Sequence, residues 1–268
     1  MTRLVQPLRI LRYAALSGFQ DFGSTWTPWT WAGGLFLRMM AQVAFFASIG
    51  HLLASDAQVE YLFIGNAVVA AAVGCLTAAT ATTWERGAGT LPLLVACPTS
   101  PLLVLMGRSV FFIANGLAFS LGALFLLAPV FDVSIPWARF PAVFALVVLV
   151  TVTTYFSATF LGGLVLNATS ARRTVPQVAR MVMMAFCGVS VPRSVFPAPV
   201  RRLAGLLPLT HGLDAIRGVL DGAAAATVLD DIGLEVLVGA GWLALSLLTF
   251  QRMADAGRRD GSIVFSSA

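Results

Sequence analysis

Six apolar stretches, at 31–54, 61–83, 102–130, 140–166, 174–191 and 232–250, run through the 268-residue chain and leave it few ways to fold. A bilayer core about 30 Å thick takes roughly 20 apolar residues in a helix. Backbone at that depth must satisfy its own hydrogen bonds, so spans of this kind are helices. The pattern predicts an all-α membrane protein with six transmembrane helices. The second and fourth stretches contain no charged residue, whereas the fifth holds Arg180 and is closed by Pro192. Only 11% of residues are charged, against roughly 25% in a soluble domain, which excludes a cytosolic globular enzyme.

Every one of the 17 basic residues is Arg, because the chain contains no Lys. A Walker loop needs a Lys to reach the β- and γ-phosphates, and a Schiff base needs a Lys amine, so neither chemistry is available. The net charge of +5 does not indicate nucleic acid, since the arginines punctuate apolar runs and form no basic face. They read as topology signals. With both termini inside, the cytoplasmic set is Arg3, Arg9, Arg12, Arg86, Arg108, Arg172, Arg173, Arg180, Arg252, Arg258 and Arg259; the outer set is Arg139, Arg193, Arg201, Arg202 and Arg217. This bias predicts cytoplasmic termini. Arg-only usage also suits a GC-rich bacterial gene. Cys75, Cys97 and Cys187 are widely spaced and form no metal or disulfide framework.

The first 25 residues have no continuous apolar core of a cleaved signal, and no signal peptide is expected. Leu8, Leu11, Ala15, Phe19 and Phe22 instead recur at helical spacing, which predicts an amphipathic interfacial helix. Trp26, Trp29 and Trp31 follow it, as suits an aromatic belt. The chain reads as a single domain, 1–268, with a cytoplasmic amphipathic segment at 1–30, a six-span bundle at 31–250 and a cytoplasmic tail at 251–268.

Two connecting stretches carry more than a turn requires. Residues 84–101, WERGAGTLPLLVACPTSP, begin with Glu85-Arg86 and offer a cap at Thr90, Pro92 early in a helix and a stop at Pro98. They predict either a short helix along the cytoplasmic face or an interfacial turn. Residues 191–222 are broken by Pro192, Pro197, Pro199 and Pro208 into pieces too short to span. A re-entrant helical hairpin at the outer leaflet, between spans 5 and 6, is one reading, and an extramembrane loop is the other. Thr210 is expected to cap the second piece, with Asp214 and Arg217 paired three residues apart.

Together these stretches resemble a permease subunit of the ABC type 2 exporters over almost the full length. The pattern ERxxGTLxxLxxxP, carried by Glu85, Arg86, Gly89, Thr90, Leu91 and Pro98, is similar to the family's coupling helix. The run FPxPVRRLAGLLPLTHGLDAIRGVLDG resembles its outer re-entrant element, with Pro208, Leu209, Thr210, Asp214 and Arg217 at the matching features. Ala88 stands where a charged or polar residue is common in the family. The resemblance implies a half-transporter in the bacterial cytoplasmic membrane, working with a second permease chain and a separate cytoplasmic ATPase. It implies no cofactor on this chain; ATP and Mg would belong to the partner ATPase. The cargo would be an amphipathic or lipid-like compound such as a drug or antibiotic, or alternatively a polysaccharide or lipid-linked glycan.

Arg38 in the first span, with Gln42 one turn on, either lines a substrate path or snorkels to headgroups. Asn66, Ala70, Gly74, Ala78 and Thr82 recur every fourth residue; that spacing suits close helix packing, while Asn66 is also a candidate for the path. His51 and His211 have no partner at metal-ligand spacing and read as structural. Asn167-Ala168-Thr169 fits a glycosylation pattern on the cytoplasmic side, where it would go unused. An intramembrane enzyme would need a nucleophile with its base, yet Glu235 is the one acidic residue well inside a span and has no His nearby in the chain. An ion-coupled transporter would show paired broken helices in two related halves, and no repeat is seen.

Overall fold

The computed structural model describes residues 2–53, 55–80, 101–165, 171 and 173–260, and every regular element among them is helical. In chain order these are α1 (Thr2–Thr25), α2 (Pro28–Leu52), α3 (Asp56–Thr80), α4 (Leu102–Leu127), α5 (Phe140–Val165), α6 (Thr174–Phe186), α7 (Ala198–Ala204), α8 (Thr210–Asp221) and α9 (Ala225–Asp260). Helices α2, α3, α4, α5 and the Ala225–Arg252 part of α9 are long and apolar enough to cross a membrane. Their bounds lie within a few residues of the expected spans, except that α9 begins seven residues before position 232 and so takes in Asp230 and Asp231.

The fifth expected span, 174–191, forms only the 13-residue α6. Its last turn closes with the Cys187 amide on the Met183 carbonyl at 3.1 Å, and Gly188 then takes a left-handed φ of +80°. Thirteen helical residues reach about 20 Å, short of a bilayer core. A positive φ is inexpensive only at glycine, and there the helix stops.

Helix α3 is the centre of the bundle. Ala67, Val68, Ala71, Ala72 and Cys75 are all fully buried, because small side chains admit neighbours on every side. Asn66, Ala70, Gly74 and Ala78 are buried with them. A Cβ on Gly74 would lie 2.6 Å from the Gly116 Cα of α4, so these two backbones touch through paired glycines. Helix α2 opens with the Thr27 hydroxyl accepting from the Thr30 amide at 3.3 Å and Pro28 in the first turn. It then widens into a π-helical turn over Trp31–Phe36, where the Trp31 indole donates to Asn115 Oδ1 of α4 at 2.7 Å. Helix α9 lies along α5, joined by Ser246 to Thr159 at 3.1 Å and by the close approach of Gly239 to Thr153.

Helix α1 departs from the expected stripe. Its packed face is Leu11, Ala14, Gly18 and Phe22, laid against the start of α4 so closely that a Cβ on Gly18 would fall 2.0 Å from the Arg108 carbonyl oxygen. Phe19 is 54% exposed and stands with Tyr13 and Leu16 on an outer apolar ridge. Two apolar faces therefore wrap one helix, and a single-stripe reading merges them. Asp21 is ion-paired with Arg108, and a groove of about 360 Å³ lined by Arg9, Tyr13, Ser17 and Arg108 runs beside the pair.

Candidate functional site: the held helix α8

Helix α8 is only 12 residues long, yet it is fixed at both ends and along one side by groups from five other segments. At its N-terminus, Leu209 adopts φ +88°, a conformation unfavourable for a branched residue. The buried Glu235 side chain of α9 holds it there. One carboxylate oxygen accepts the Leu209 amide at 3.1 Å and the Thr153 hydroxyl of α5, and the other accepts the Gly212 amide at 3.0 Å. A carboxylate thus satisfies orphan N–H groups at the positive end of a helix dipole. Gly212 makes the approach possible, since a Cβ there would lie 2.2 Å from Val150 Cγ2 and 3.3 Å from Glu235 Cδ. At the other end, Gly222 caps α8 in the left-handed region. The Arg139 guanidinium beside it donates to the carbonyls of Val219, at 3.1 Å, and Leu220. Opposite charges therefore sit at the two matching poles of α8.

The expected Asp214–Arg217 pair does not form. Asp214 is ion-paired with Arg193, while Arg217 turns toward α3 and the chain just after α6. Arg217 Nη1 donates to the Gly188 carbonyl at 2.8 Å, and Nη2 to Tyr61 at 3.1 Å and Val189 at 3.3 Å. Its guanidinium also lies 3.6 Å from the Tyr61 ring centroid, and the Tyr61 hydroxyl donates to the same Gly188 carbonyl at 2.7 Å. A planar fork with several donors suits this cluster of carbonyls and an aromatic face better than a mutual i, i+3 pair would.

Thr210 is not the cap either. It occupies the first helical position, and its hydroxyl donates to the Ala204 carbonyl at 2.7 Å, tying α8 back to α7. Glu235 does the capping from 26 residues away. Pro208 lies in the turn just before Leu209, where its carbonyl is 3.8 Å from the Cys187 sulfur. Glu235 is the residue whose role the sequence hid: a lone acid in an apolar span signals a buried partner, but that partner is backbone. With both oxygens engaged by N–H and O–H donors, it is not placed as a general base.

The remaining candidates separate into three groups. Arg38 is exposed on α2, and Gln42 reaches Met184 of α6, Nε2 to sulfur, at 3.9 Å. Arg180, one turn before Met184, is near enough to Arg38 for the two charges to repel. These residues make a cationic seam between α2 and α6. Asn66 is instead fully enclosed, with Nδ2 donating to the Leu62 carbonyl at 2.9 Å. Glu85, Arg86, Gly89, Thr90 and Leu91 lie outside the described residues, as do Thr82, Ala88, Cys97, Pro98 and Asn167 to Thr169.

Five helices of spanning length and a broken helical segment between the last two of them, among the described residues, give the architecture of a multi-pass membrane protein. The model of the ABC-2 family transporter protein matches residues 46–248, most of the chain, and the protein belongs to that family. A comparison with curated proteins finds no match.

Proposed function

We propose that this chain is the permease half of an ATP-driven exporter in the bacterial cytoplasmic membrane. Family membership across residues 46–248 carries the reading. ATP and Mg2+ are bound and used by a separate cytoplasmic ATPase, in keeping with a chain that has no Lys for a phosphate loop. Segment 84–98, with Glu85, Arg86, Gly89, Thr90 and Leu91, is the coupling helix that receives the movement of that ATPase. Both termini are cytoplasmic. α6, about 20 Å long, makes a sixth crossing that is completed by the irregular residues 187–192. α1 lies in the headgroup plane, its Tyr13, Leu16 and Phe19 ridge facing lipid.

Helices α7 and α8, with Pro208, Thr210, Asp214 and Arg217, form the re-entrant outer gate. Short helices at membrane depth require protein around their ends, and the Glu235 and Arg139 caps support that reading. Cargo of amphipathic or lipid-like character, a drug or antibiotic among such compounds, passes between two permease chains. Arg38 and Gln42 stand at the path, joined by Arg180, and two neighbouring cations there suit a cargo with an anionic group. Asn66 belongs to the path only if the bundle opens, because α3 is enclosed by its own chain.

Mass measurement of the gently solubilised complex tests the arrangement. Two permease chains, identical or homologous, with two ATPase subunits are expected. A transport-competent particle with one permease chain, or with no ATPase, would contradict it.

A further inference from the structure

We propose that His211, Asp214 and Asp231 form a binding site for one divalent transition-metal cation of the zinc class, stapling α8 to α9. The sequence conceals this site because the two carboxylates come from different helices. The ligand atoms of the three residues lie within 4.8 Å of one another.

The histidine ring supplies the direction. Its Nε2 is 3.1 Å from the Gly205 carbonyl oxygen, which can only accept, so Nε2 carries the proton of the neutral ring. Nδ1 then presents a lone pair, and this atom is buried without a hydrogen-bond partner. It faces Asp231 Oδ1 at 3.8 Å, too long for a hydrogen bond. Metal–ligand bonds of 2.0–2.2 Å in tetrahedral geometry place ligand atoms about 3.4 Å apart, so a small contraction around an ion suffices. A ring nitrogen anchored on a backbone carbonyl, with the other left for metal, is the usual state of a ligating histidine. Arg193 is ion-paired with one oxygen of Asp214, Oδ2, and a carboxylate has a second oxygen with which to bind a cation. Partial exposure of all three side chains, from 14% to 26%, provides entry and room for a water as fourth ligand. One imidazole with two carboxylates favours zinc, cobalt or nickel over calcium or magnesium, which demand more oxygens. Asp231 lies one turn before Glu235, so a bound ion would join the same two helices beside the carboxylate that holds the start of α8.

The site is tested on the full chain, purified metal-free in detergent and titrated with Co2+ alone. The chain has two histidines, and both described cysteines are buried, so competing ligands are few. One Co2+ per chain is expected, with the visible absorption of a low-coordinate site, displaced by Zn2+. His211→Ala and Asp231→Asn should each weaken binding on the order of tenfold or more, while His51→Ala leaves it unchanged. Zn2+ should raise the melting temperature of the unaltered protein and not that of Asp231→Asn, which keeps the side-chain shape should His211→Ala fail to fold. Absence of Co2+ binding, as a simple His211–Asp231 ion pair would give, overturns the proposal. So does binding that survives Asp231→Asn, or that is lost in His51→Ala.

Discussion

Replacing Glu235 with Ala should lower the stability of the folded chain by about 4 kcal/mol, or roughly 10 °C in melting temperature. The carboxylate is the acceptor for the Leu209 and Gly212 amides and for Thr153; truncation leaves both amides buried without that acceptor, while the Thr153 hydroxyl falls back on the Val150 carbonyl at 3.1 Å. It also removes what holds Leu209 in its left-handed conformation, so the first turn of α8 should fray. Glu235→Gln keeps the shape but turns an amide N–H2 toward one of the donors, and about half the loss is expected. Thermal unfolding in detergent, with hydrogen exchange on residues 209–213, measures both effects. An unchanged melting temperature and protected α8 amides in Glu235→Ala would show that α8 is held by its apolar face alone.

Gly65→Ala should be nearly as damaging although it adds one methyl group. A Cβ at that position would fall 2.2 Å from the Val189 carbonyl oxygen and 2.9 Å from Arg217 Nη2. The first atom is backbone and cannot turn aside. The chain after α6 must therefore move off α3, lengthening the bonds from Arg217 to Gly188 and Val189 together. A loss of about 3 kcal/mol is expected, at the upper end for overpacking because a hydrogen-bonded cluster separates with it. Gly23→Ala, where no atom lies within 4 Å, is the matched control and should change little. Equal melting temperatures for the two variants would mean that the α3 contact is not tight.

What the sequence discloses here follows from the solvent. A bilayer sets both the length and the apolarity of a span, so α2 to α5 and α9 stand out as single segments, each legible without its neighbours. The helical part of α6 is shorter than its composition suggests: MVMMAFCGVSV is apolar throughout, and the backbone turn at Gly188 ends the helix before the apolar run ends. α1 shows another limit, since lipid and protein both accept apolar side chains and their two faces merge into one periodic signal. The broken segment at 191–222 is legible as prolines, and its two short helices follow. Its fastenings are not. Glu235, Arg139 and Tyr61 reach α8 across 23 to 156 positions of chain, and no local spacing encodes a carboxylate that finds backbone amides. Local spacing instead favoured Thr210 as the cap and Asp214 with Arg217 as a pair, both chemically reasonable and both outcompeted by partners from other helices.

The central claim, that this permease exports cargo by work received from a separate ATPase through segment 84–98, is tested most directly with Glu85→Arg in the reconstituted complex. Transport into sealed vesicles and ATP hydrolysis are measured on the same preparation, with complex assembly checked by mass. Charge reversal at the proposed docking helix should leave basal hydrolysis in place, abolish its stimulation by cargo and reduce export on the order of tenfold or more, since an interfacial charge contact turned repulsive costs several kcal/mol. Export and cargo-stimulated hydrolysis both equal to those of the unaltered complex would contradict the account.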